Sequence, residues 1–146
     1  MSNSCDIDIL MLADRAEVLG GKLYMMGGGW DAMSASTAEQ PSHFTVVLAV
    51  LVPWNATNME HNCAVRLEDA DGVAVLNFSF AVKTGRPPNL PEGATQRVMV
   101  CLPIAAAFPV QGQYAVVVLM GPHEKRVSFH VRGPAPQPRP SQSTLV

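Results

Sequence analysis

The feature that most constrains the fold of this chain is an alternation of apolar and polar residues with a period of two. In the segment 62–69, Cys63 and Val65 lie on one face, and Arg66 and Glu68 lie on the other. Such alternation is typical of a half-buried β-strand, whereas an amphipathic helix spaces its apolar residues three and four positions apart. We find no long segment with the helical spacing. The chain is therefore predicted to be all-β.

Eight segments have strand character and are separated by turn residues. They are 7–13, 22–26, 43–52, 62–69, 73–83, 95–107, 114–120 and 125–131. Between them, residues 14–18 are expected to form one helical turn or an irregular crossing, and residues 30–40 a loop. Strands at this spacing without crossover helices predict an antiparallel β-sandwich of about eight strands, immunoglobulin-like in general appearance.

The length of 146 residues fits one domain. We assign residues 1–131 to a single β-sandwich domain. Residues 132–146 are predicted to be a separate tail, because proline recurs at every second position from Pro134 to Pro140 and polar residues follow. Such a segment favours a polyproline II-like conformation and is expected to be disordered without a partner.

Charge and cysteine usage exclude several classes of protein. Ten Lys and Arg residues against twelve Asp and Glu residues argue against a nucleic-acid binder or a polybasic membrane-surface protein. No apolar run reaches the roughly 18 residues of a membrane span. The acidic N-terminal residues do not form a secretory signal, and three widely spaced cysteines do not form a disulfide framework. We expect a cytoplasmic protein, or part of a particle assembled in the cytoplasm.

Two properties favour assembly. Charged residues make up 15% of the chain, against about 25% in a typical soluble domain. The segments 44–52, 98–107 and 114–120 are apolar on both faces, although a sandwich strand needs only one apolar face. Either the chain is a low-charge monomer whose second faces are covered by loops, or a protein partner or another copy of the chain covers them.

A series of motifs in fixed order spans residues 7–131. The motifs are LAD (12–14), GKLY (21–24), GGGW (27–30), VPWN (52–55), LEDADG (67–72), GRPPNLPEG (85–93), GQY (112–114) and FHV (129–131). The pattern resembles a family of small bacterial proteins of unknown function that is frequent in actinobacteria. The resemblance implies a single β-rich domain with no assigned activity. The chain departs from the pattern at Gly121-Pro122-His123-Glu124, where an Asp-Gly turn is expected, and in its proline-rich tail.

Four residues are candidates for a binding site: Trp30, Trp54, His61 and Arg86. The two tryptophans either form a stacking platform for a sugar, base or peptide, or close the ends of the sandwich core. Arg86, in the proline-rich loop 85–93, either docks onto an aromatic groove or pairs with a nearby carboxylate. His61 shares a strand face with Cys63. Zinc would need two more ligands beside them, so capping of a nearby turn is the preferred role of His61.

Catalytic and cofactor motifs are missing from the sequence. The triple glycine 27–29 has neither the Lys-Ser/Thr nor the helix of a phosphate-binding loop, so we interpret it as a turn or bulge. No nucleophile elbow, zinc-protease motif or Cys-x-x-Cys occurs, and we expect no metal, no cofactor and no enzyme. The leading hypothesis is a structural or interaction module that self-associates or docks onto a bacterial or phage assembly. The alternative is a small-molecule or carbohydrate-binding β-sandwich, with a hydrolase as a distant third.

Overall fold

The computed structural model describes residues 4–35 and 39–133, and these form nine strands and one short 3-10 turn. The strands are β1 (Asp6–Leu19), β2 (Lys22–Gly28), β3 (Ala32–Ser34), β4 (Ser42–Val52), β5 (His61–Asp69), β6 (Ala74–Val82), β7 (Gln96–Ala106), β8 (Gly112–Met120) and β9 (His123–Arg132). The 3-10 turn covers Trp54–Ala56.

The strands form two sheets that pack face to face. Sheet A has the order β2-β1-β4-β7 and sheet B the order β3-β9-β8-β5-β6. All neighbours are antiparallel except β3 and β9, which run parallel. The predicted β-sandwich is confirmed, with nine strands rather than eight and with a mixed sheet B.

Two strand predictions need correction. Residues 14–18 form neither a helical turn nor an irregular crossing, because β1 continues as a strand to Leu19. Its first half pairs with β4, and its second half pairs with β2. The predicted loop 30–40 contains the short strand β3, which a three-residue pairing with β9 creates. A strand that depends on its neighbour in this way leaves no periodic signal in the sequence.

The core lies between the sheets and is filled by the inward-facing residues of both. Val46, Leu48 and Val50 of β4 and Val116 and Val118 of β8 belong to this core, and all five are almost completely buried. One end of the core is aromatic. Here the ring of Phe129 lies about 6 Å from the rings of four neighbours, namely Trp30, Phe44, Phe108 and Tyr114.

The two-faced apolar strands meet different surroundings in the two sheets. On the outer face of sheet B, Glu68 is 4% exposed and binds Arg126 at 2.6 Å and Arg66. These charged side chains flank Ala115 and Val117 of β8, the second apolar face of that strand. On the outer face of sheet A, Val47 and Ala49 of β4 have no exposed surface. Both side chains are covered within the single chain.

The three cysteines in the described part of the chain are free. Cys5 and Cys63 are buried, and burial raises the pKa of Cys63 to about 11. Cys101 lies on the outer face of β7 and is only half-buried. The predicted tail lies outside the described residues from position 134 onward, and β9 extends one residue beyond the predicted domain end.

Candidate functional site: the β1–β2 arm

The second half of β1 and the whole of β2 form a two-stranded hairpin, residues 13–28, which we call the arm. Leu19 pairs with Lys22, and the two residues between them, Gly20 and Gly21, have φ angles of 58° and 75°. Two positive φ angles define a type I′ turn, which glycine adopts without strain and which matches the twist of the strands. The arm is therefore fixed by local sequence.

The arm exposes more large apolar side chains than any other element in the described residues. Met26 is 72% exposed, Leu19 56%, Tyr24 52% and Met25 39%. Within residues 4–35 and 39–133, β2 pairs with β1 and with no other strand. An isolated two-stranded hairpin is marginally stable in water, and exposed apolar patches of this kind mark interaction surfaces. The arm is thus the strongest candidate for a functional surface.

The base of the arm is held by close contacts at two glycines. Gly27 has a φ of 61°, and a Cβ atom there would overlap the Asp14 side chain. At Gly28, the side chain of Met25 occupies the place of a Cβ atom. The triple glycine is therefore a structural bend that lets β2 turn back towards Trp30, as predicted.

The arm bends towards the outer face of sheet A. Glu17 of the arm lies close enough to Cys101 of β7 that its charge adds to the effect of burial in raising the pKa of that thiol. Between the arm and Thr45 of β4 lies a cavity of about 680 Å³. Its lining combines charged and apolar side chains: Arg15, Ala16, Glu17, Tyr24, Met25, Met26 and Thr45.

Three of the four predicted site residues lie at one end of the sandwich, where they bind the protein itself. The Arg86 guanidinium stacks on the Trp54 ring at 3.8 Å from its centroid. Its Nη2 donates to the Trp54 carbonyl, and its Nε donates to the Thr57 hydroxyl, both at 2.7 Å. We call this set, Trp54, Thr57 and Arg86, the clamp. It ties the loop 85–93 to the turn after β4.

His61 contributes to the same end in the way that its preferred interpretation predicts. Its Nε2 lies 2.7 Å from the carbonyl oxygen of Ala56, in the turn between β4 and β5. Asn58 in that turn has a φ of 62°, and its backbone N–H donates to the carbonyl oxygen of Thr84. His61 therefore stabilises a strained turn. In the described residues, no three His, Cys, Asp or Glu side chains are grouped to hold a metal ion.

Trp30 lies at the opposite end of β4 and packs edge-on against Phe44 and Phe129. The structure does not bring the two indoles together, so a platform made of both tryptophans is wrong. Trp30 packs on Phe44 near the start of the eleven-residue strand β4, and Trp54 follows the end of that strand. The Trp30 indole N–H is buried and has no partner in the described part of the chain. Its position is that of a core plug.

Sequence reasoning did not select Tyr24, Met25 or Met26 as functional residues. The available signal was the run Leu23–Met26, four apolar residues in succession on a short strand beside the triple glycine. Such a run does not alternate, and it reads equally well as a buried strand. Its exposure follows from the absence of a second neighbour for β2, which is a property of the sheet order.

The fold and the arm define a nine-stranded β-sandwich with an exposed apolar hairpin. The chain belongs to DUF6941, a family of unknown function, which it matches over residues 8–132. The predicted membership of an uncharacterised family is thereby confirmed. No helix in the described residues has the length and apolar character needed to cross a membrane.

Comparison with curated proteins gives no match. Among solved structures, the chain is similar to the alkylpurine DNA glycosylase AlkC of Pseudomonas fluorescens, bound to DNA containing an abasic site analogue. The identity is 12% and the TM-score 0.49, and the match covers 88% of this chain. The chain spans 30% of the length of that protein.

Proposed function

We propose that this protein is a non-enzymatic interaction module that associates with itself through the arm. The observation that carries the proposal is the exposure of Leu19, Tyr24, Met25 and Met26 on one hairpin. Burial of such side chains between proteins is favourable by about 25 cal/mol for each Å² of apolar surface removed from water. The low charged fraction of the chain, 15%, supports the same conclusion.

The setting that fits this role is a bacterial or phage assembly formed in the cytoplasm. A small module with few charges and an apolar arm is suited to a contact between identical subunits, and such a dimer can be a unit of a larger assembly. The actinobacterial origin implied by the motif pattern belongs to the same proposal. Protein is the expected partner, and nucleic acid, membrane and cofactor are not part of the proposed function.

The alternative, a carbohydrate or small-molecule binder, has weaker support. Arg86 covers one face of the Trp54 ring, which removes that face as a stacking surface for a sugar. The donors of Arg86 that face Trp54 and Thr57 are already paired. Trp30, the other aromatic candidate, packs into the core at the far end.

The experiment is a measurement of native mass by light scattering at chain concentrations from about 5 to 500 µM. We expect the mass to rise with concentration towards twice the 15.6 kDa of the chain. Met26→Lys should shift this rise to at least tenfold higher concentration, because it places a charge in the buried surface. Leu119→Lys is the matched control, since Leu119 is 40% exposed on the outer face of sheet B. A wild-type chain that stays monomeric throughout the range contradicts the proposal.

A further inference from the structure

The four edge strands of the described residues differ in how they are protected from pairing. In sheet B, β3 has three residues, and the pairing of the edge strand β6 with β5 shifts register between Leu67 and Glu68, as at a β-bulge. In sheet A, β7 carries the charged residue Arg97 and also Pro103, whose backbone has no N–H to donate to a further strand. These are devices that keep edge strands from adding further strands. The other edge of sheet A, β2, has neither charge nor proline between Leu23 and Gly28.

The backbone of β2 presents its free donors and acceptors in a regular pattern. In a hairpin with a two-residue turn, the closing pair, here Leu19 and Lys22, exchanges both hydrogen bonds. Alternate residues then point towards β1, so Tyr24 and Met26 bond to β1. The amide and carbonyl groups of Leu23 and Met25 point to the free edge, and the chain leaves the extended conformation at Gly27, where φ is 61°.

We infer that β2 pairs with β2 of a second copy of this chain, antiparallel and centred on Met25. This inference rests on the proposed self-association and names its surface. The pairing joins the two copies of sheet A into one continuous sheet across a two-fold axis. The alternation of bonding residues predicts two backbone hydrogen bonds between the two Met25 residues, and Leu23 of each copy presents its free amide and carbonyl beside the partner's Gly27. A two-fold contact uses the same patch on both chains and closes at two copies.

The side chains of β2 are complementary to those of a second copy in this register. Tyr24 lies opposite the partner's Met26, and a thioether beside an aromatic ring is a favourable contact. Leu23 lies opposite the partner's Gly27, which leaves room for the larger side chain. Lys22 lies opposite the partner's Gly28, so no like charges face each other across the pair.

The contact between the two copies is small. Pairing buries the free edge of a seven-residue strand and part of the exposed surface of Tyr24, Met25 and Met26 on both chains. We place the total at about 1,000 Å², in the range of weak or transient interfaces. A dimer of this size is expected to dissociate in the micromolar range and to be visible as a concentration-dependent mass.

The register is tested by disulfide formation of Met25→Cys in a Cys101→Ser background, which removes the half-buried native thiol. Residues that face each other as a hydrogen-bonded pair have Cα atoms about 5.5 Å apart, within the range of a disulfide. We expect mild oxidation to convert most of the chain to a covalent dimer, seen by intact mass and reversed by reductant. Met25 is 39% exposed, so the substitution leaves the core intact.

Two further variants make the test specific. Tyr24→Cys alone should give at least tenfold less disulfide dimer. In the proposed register, residue 24 of one copy lies diagonally across from residue 24 of the other, at roughly 7–8 Å, which is too far for a disulfide. Tyr24→Cys mixed with Met26→Cys should give the mixed dimer. Val75→Cys on the β6 edge, where Val75 is 38% exposed, is the control for random collision.

The outcomes separate this inference from the proposed function. Equal dimer yields from Met25→Cys, Tyr24→Cys and Val75→Cys overturn the β2 pairing. A wild-type mass that rises with concentration, without a preferred Met25→Cys disulfide, overturns the pairing and keeps the self-association. A wild-type chain that remains monomeric overturns both.

A proline variant gives a second measurement. The amide of Met25 points away from β1, so Met25→Pro removes a donor of the proposed pair and keeps the hydrogen bonds of the arm. We expect Met25→Pro to fold and to raise the dissociation constant at least tenfold. A dimer that is unchanged by Met25→Pro, with native circular dichroism, contradicts the β2 pairing.

Discussion

Replacing Arg86 with alanine tests whether the clamp is structural. The guanidinium of Arg86 lies 3.8 Å above the Trp54 ring and donates two hydrogen bonds of 2.7 Å, one to Trp54 and one to Thr57. The Thr57 hydroxyl in turn donates to the Trp54 carbonyl at 2.8 Å. Alanine removes all of the Arg86 contacts and leaves the loop 85–93 without its attachment to the turn after β4.

The expected cost follows from these contacts. Each hydrogen bond contributes about 0.5–1.5 kcal/mol net, and an exposed cation–π contact contributes about 0.5–1 kcal/mol. Since the Arg86 side chain is exposed, we take values in the lower half of these ranges, for a sum of about 2 kcal/mol. For a domain near 150 residues, this lowers Tm by roughly 6–8 °C.

The assay is thermal and urea unfolding of the wild type, Arg86→Ala, Arg86→Lys and Arg97→Ala. Arg97 is the matched control, because it is exposed and its ion pair with Asp8 is expected to contribute at most about 1 kcal/mol. Arg86→Lys keeps the charge but not the fork of donors, so its effect should be about half that of Arg86→Ala. If Arg86→Ala costs no more than Arg97→Ala, the clamp does not hold the loop, and Arg86 returns as a candidate ligand residue.

Three further predictions concern the core, the buried carboxylate and the thiols. Phe129→Ala should lower the free energy of unfolding by about 3–5 kcal/mol, because Phe129 is almost fully buried among four rings; a loss below about 1 kcal/mol in urea unfolding would contradict this packing. Hydrogen bonds from Arg66 and Arg126 lower the pKa of Glu68 below its ordinary value of 4.5. The ionised Glu68 therefore contributes its full stabilisation above pH 4.5, and this contribution is lost as the pH falls through the lowered pKa. Glu68→Gln should therefore be less stable than the wild type at pH 7, with a difference that shrinks towards pH 2–3 in urea unfolding; a difference independent of pH would refute the assignment. A maleimide should label Cys101 in the native protein and label Cys63, which is buried and has a pKa of about 11, only after unfolding; labelling of Cys63 at a similar rate would contradict the core.

Much of the fold was predictable because strands with one buried face leave a periodic signal. The segment 62–69 alternates cleanly and is β5, with Cys63 and Val65 in the core. The role of His61 as a turn-capping residue was also predicted, because no further zinc ligands accompany His61 and Cys63, and its Nε2 lies 2.7 Å from the Ala56 carbonyl oxygen. The triple glycine 27–29 likewise predicted a turn or bulge, and the chain bends there at the end of β2.

Other elements were not predictable because their structure depends on residues distant in sequence. The second half of β1 is rich in charged residues, and only its pairing with β2 makes it a strand. The strand β3 exists because β9 lies beside it. Trp54 and Arg86 are 32 positions apart, and the packing of two loops brings them together.

The sequence by itself determined the class of fold, the presence of eight of the nine strands and the turn or bulge at the triple glycine. It did so because side-chain periodicity and the φ preferences of glycine act locally. The tertiary structure alone decided which apolar strands are covered and which remain exposed. Sheet order gives β4 two neighbours and β2 one, so Val47 is buried while Met26 faces solvent. Exposure is a property of neighbours, and neighbours are set by long-range pairing that the periodicity of a strand does not encode.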